Sequence, residues 1–75
     1  MEEVSHTDRE VLGETARLMR AGGSFEESLG KTVRREGMDY SDYIRLASLV
    51  REKAKKESAS LEKAAARLSR SDDDK

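Results

Sequence analysis

The stretch "LVREKAKKESASLEKAAARL", residues 49–68, decides the fold, because it is either the second half of one long helix or the junction of two. Proline is absent from the whole chain, and "LEKAAARL" is built of strong helix formers. Tyr40, Tyr43, Ala47, Val50, Ala54, Leu61, Ala64 and Leu68 keep a three-and-four spacing with Glu57 as the one polar interruption, the pattern of a single apolar seam. This spacing predicts one helix over about 41–70, projecting as a coiled-coil arm, with a weak point at 58–60. The other reading breaks the helix at "SAS", where Ser60 would cap a short fourth one.

Upstream, the signals are helical throughout. "YIRLASLV" places Tyr43, Ile44, Leu46, Ala47, Leu49 and Val50 over more than one helix face, so the first half of this helix belongs at the centre of the core, starting near Asp39 or Ser41. Gly37 stops a preceding helix over 25–36, in which Phe25, Leu29 and Val33 form a narrow apolar stripe and Ser24 is the cap with Glu27 at the third position. A first helix over 8–21 starts at "TDRE", with Thr7 as cap and Glu10 as its capping-box partner. It carries Val11, Leu12, Thr15, Leu18 and Met19, and ends at Gly22 and Gly23. The expected fold is therefore all-α: a small three-helix domain over 1–70, with a fourth short helix as the alternative, and 71–75 as a disordered acidic tail.

Size and composition narrow the functions. A chain of 75 residues is one domain with a single layer of core. Without cysteine it has neither disulfide staples nor a thiolate metal site. The start "MEEVSHTDRE" lacks the basic and apolar regions of a signal peptide, and no apolar run is long enough for a membrane span, so a cytoplasmic protein is expected.

Two stretches suggest chemistry and do not sustain it. "GGSFEESLGKT", residues 22–32, ends like a phosphate-binding loop, but the glycine that motif needs five residues before Gly30 falls at Phe25. Glu26 and Glu27 would also repel a polyphosphate, and no strand precedes it. His6 is the one histidine and has no partner set for a metal, while "DDD" at 72–74 lacks the spacing of a calcium loop. No serine or threonine stands in a nucleophile–base pattern, so no enzyme activity, metal, cofactor or small-molecule substrate is expected.

Charge is the more informative signal. Residues 1–30 sum to −4, residues 31–56 to +4 and residues 57–75 to −1. In the middle segment Arg45, Arg51 and Lys55 share a broad outward stripe with Ser41, while Lys31, Arg34 and Arg35 end the helix before it. Such a surface suits the phosphates of a nucleic acid; a solvated helix face laced by local ion pairs has the same composition.

The segment "SFEESLGKTVRREGMDYSDYIRLASLVRE", residues 24–52, resembles the two-helix part of ribbon-helix-helix DNA-binding proteins, through Gly37, Met38, Ser41, Tyr43, Ile44, Arg45 and Ala47. The resemblance implies DNA binding, with a strand before the first helix to read the major groove; here "TARLMRAGG" stands at that place and is helical by pattern. A helix-turn-helix pairing 25–36 with 41–52 around Gly37 is the other familiar arrangement. Two functions follow. One is a small DNA-binding regulator acting as a homodimer through Lys31, Arg34, Arg35, Ser41, Arg45, Arg51 and Lys55. The other is a helical adaptor or inhibitor acting by protein contact, its interface the seam Ala54, Leu61, Ala64 and Leu68, which has little in its own chain to cover it.

Overall fold

The computed structural model describes residues 4–70, which form four α-helices and, among those residues, no strand. They are α1 (His6–Arg20), α2 (Phe25–Arg35), α3 (Tyr40–Glu57) and α4 (Leu61–Ser69). The expected helix over 41–70 is thus two, and the tail 71–75 lies outside the described residues.

The break has a local cause. α1 and α2 end alike: Gly22 and Gly37 adopt φ of 114° and 75°, and the next residues, Gly23 and Met38, donate their N–H groups back to Leu18 and Val33. This is the Schellman ending, in which a left-handed residue turns the chain so that two orphan carbonyls are satisfied. α3 ends in the same way with serine in the glycine's place: Ser58 takes φ 52°, and Ala59 donates to the Ala54 carbonyl at 2.9 Å. Ser60 then caps α4 by accepting the Lys63 N–H at 3.1 Å.

The other caps follow their sequences with one shift. Ser24 accepts the Glu27 N–H, and Asp39 forms a reciprocal box with Asp42. α1 starts two residues earlier than expected, its cap being Ser5 with Asp8 as partner rather than Thr7 with Glu10.

The helices close into a ring in which α1 packs on α2 and α4, and α3 packs on α4 and α2. Its interior takes Val11, Leu12 and Ala16 from α1, Phe25, Leu29 and Val33 from α2, Leu46, Ala47, Val50 and Ala54 from α3, and Ala64 and Ala65 from α4. Thr15 and Thr32 are buried among them, each hydroxyl donating to the carbonyl one turn back, so no polar hydrogen is stranded there. The seam expected to be uncovered is covered by the chain itself. Once α4 turns back at Ser58 it lies along α1, burying Ala64 fully and leaving Leu61 and Leu68 half-buried against the core, with Ala54 8% exposed.

Candidate interaction surface

Every packed pair of helices is also latched by an arginine and a carboxylate. Glu14 of α1 accepts from Arg35 of α2 at 3.4 Å and from Arg17 at 2.7 Å. Glu26 of α2 takes Arg51 of α3 at 3.1 Å, and that guanidinium lies 5.5 Å from the centre of the Phe25 ring. Glu57 of α3 holds Lys53 at 2.9 Å and Arg67 of α4 at 2.6 Å, and these bonds, that from Lys53 most, keep its carboxyl below the ordinary range. Glu62 of α4 meets Arg20 of α1 at 2.9 Å.

The remaining latch crosses the ring. Arg45 of α3 donates through two nitrogens to the two oxygens of Asp8, at 2.9 and 3.2 Å, and also to Asp42 at 3.0 Å. Asp8 and Asp42 are the third-position carboxylates of the two capping boxes, so a single guanidinium ties the N-termini of α1 and α3, which share no broad packing face. Asp8 is buried. The hydrogen bonds from Arg45 lower its pKa most, burial opposes them, and the Ser5 N–H lowers it further. The same bonds raise the Arg45 pKa, so its charge is fixed at every working pH.

These pairs redistribute the residues expected to meet nucleic acid. Arg35, Arg45 and Arg51 each pair with a carboxylate from residues 1–30, so the −4 and +4 segments answer one another in part inside the molecule. The Ser41 hydroxyl donates to Asp39 at 2.8 Å, the bond that most lowers the Asp39 pKa. Lys31, Arg34 and Lys55 are exposed and have no side-chain partner among the described residues. The charges are thus not gathered into one stripe: Lys31 and Arg34 lie on α2, whereas Lys55 lies with Arg51, Glu52 and Lys56 near the far end of α3.

Where α2 meets the start of α3, a shallow groove of about 470 Å³ opens, lined by Glu26, Gly30, Val33, Arg34, Met38, Asp39, Tyr40 and Tyr43. Tyr40, expected within the apolar seam, is instead 72% exposed, and its ring stacks on that of Tyr43 at 5.6 Å between centres. Ile44, one turn on, is 46% exposed. Helix periodicity did not reveal this surface, because Tyr40 and Tyr43 satisfy the seam spacing whether or not anything covers them. The detectable signal was Gly30, a helix-interior glycine at the position where the groove is hollow: a Cβ there would stand 4.0 Å from the Tyr43 ring.

Comparisons of the chain with family models, curated proteins and solved structures gave no match.

Proposed function

We propose that this protein is a non-enzymatic helical adaptor that acts by protein contact. The observation that carries the reading is the internal use of the basic middle: three of the six cations expected on phosphates, Arg35, Arg45 and Arg51, are already held by carboxylates of α1 and α2. A phosphate contact at Arg45 would have to compete with a two-oxygen bond to a buried aspartate. Among the described residues the large exposed apolar side chains, Tyr40 and Ile44, stand together on α3, and tyrosine is enriched in protein interfaces.

The DNA-binding regulator is the second reading, favoured by Lys31, Arg34 and Lys55, which have no side-chain partner among the described residues. A gel-shift titration with random duplex DNA at low and high salt separates the two. The adaptor reading expects no shift at moderate salt, and weak low-salt binding at most. A tight, salt-steep shift abolished by reversing Lys31, Arg34 and Lys55 together would establish the DNA reading in its place.

A further inference from the structure

The groove between α2 and α3 has an unequal charge account. Two carboxylates stand on its rim: Glu26 is paired with Arg51 at 3.1 Å, while Asp39 accepts from the Asp42 N–H and the Ser41 hydroxyl, neutral donors that hold it ionised, at the α3 cap. The third charge, Arg34, is exposed and has no partner among the described residues. The apolar part is aromatic and aliphatic, with Tyr43 half-buried, Tyr40 stacked on it and Met38 beside them. A phosphodiester strand entering here would bring repeated negative charge against Glu26 and Asp39. A peptide can place one carboxylate on Arg34 and present uncharged surface to the rest.

We infer that this groove is a docking site for an acidic-hydrophobic peptide segment of another protein, one in which a bulky apolar side chain lies beside an Asp or Glu. The apolar side chain enters the hollow at Gly30 and packs on the tyrosine pair; the carboxylate takes the fork of Arg34. This rests on the protein-contact reading and names the surface and the partner chemistry for it.

The test is a display selection of random short peptides on the full-length chain, followed by affinity measurement of the enriched peptides against variants. Enrichment of sequences pairing Asp or Glu with Leu, Ile, Phe or Trp is expected. Arg34→Glu and Gly30→Leu should each weaken them by at least about tenfold, and Lys55→Glu should leave them unchanged. Gly30→Leu replaces a glycine within a helix, so retained folding, read by circular dichroism and thermal midpoint, keeps its loss of binding attributable to the filled groove. No enrichment, enrichment of basic peptides, or binding indifferent to both groove variants would overturn the inference. Peptides lost on Lys55→Glu instead would remove this groove while leaving the protein-contact reading in place. A gel shift of duplex or single-stranded oligonucleotide blocked by Arg34→Glu would remove both. Sedimentation showing self-association abolished by Gly30→Leu would make the occupant a second copy and also overturn the assignment.

Discussion

Arg45 answers two carboxylates at once, and its pair with Asp8 carries a pH signature. The folded-state pKa of Asp8 lies below its ordinary value of 3.8, so the ionised form is favoured in the native protein. The sign follows from linkage: the stabilisation is complete above the ordinary value and is lost as pH falls from there through the lowered one. Asp8→Asn should therefore flatten the acid limb of a stability-against-pH curve below about pH 4, and cost about 1.5–3 kcal/mol at neutral pH, the range for hydrogen bonds to a charged group. A residual acid slope should persist from Asp39 and Glu57, whose pKa values are lowered too. Urea unfolding across the pH range checks this; an unchanged acid limb in the variant would show that Asp8 is not held as described. The sequence contains the motif plainly in Ser5-x-x-Asp8, but Thr7-x-x-Glu10 is an equally good capping box two residues on. Nothing local decides between them. What does is Arg45, 37 residues away, which draws Asp8 inward.

At the scale of elements, the first two helix ends are legible outright and the third only as the weaker of two readings, for one physical reason. Gly22 and Gly37 advertise a left-handed residue; Ser58 fills the same role without the glycine that signals it. Read by propensity alone, "KKESASLEK" continues a helix, and the alanine and leucine spacing supports that reading. Tertiary packing overrides it, because a turn at Ser58 lets Leu61, Ala64 and Ala65 close the core that a projecting arm would leave open. The two structures predict opposite signs for one substitution. Ser58→Gly should raise stability by about 0.5–1 kcal/mol where the residue is left-handed, since the Cβ penalty is removed. In the interior of a continuous helix glycine would lower stability by about the same amount. Thermal or urea unfolding of this single variant therefore reads out whether α3 and α4 are separate helices.

For the whole molecule, the uneven charge layout that suggests a polyanionic partner is better accounted for by closure of the bundle. Latches run from α1 to α2, α2 to α3, α3 to α4 and α4 to α1, with Asp8 and Arg45 across the ring. Exposed pairs of this kind contribute about 0–1 kcal/mol each, so the four outer latches favour one helix arrangement over others more than they add stability. The Asp8 pair differs because one partner is buried. Sequence shows the charge totals and the helix hairpin; it cannot show which arginine meets which carboxylate, since those partners sit on different helices, 10 to 42 residues apart. For the same reason the exposed tyrosine pair and its groove emerge only once α2 and α3 are placed side by side. The most direct measurement is a double-mutant cycle on Asp8→Ala and Arg45→Ala by urea unfolding at neutral pH. A coupling energy of about 1–2 kcal/mol is predicted if Arg45 serves the fold. A coupling within about 0.3 kcal/mol of zero, the range for independent sites, would contradict it and return Arg45 to the surface as a free cation.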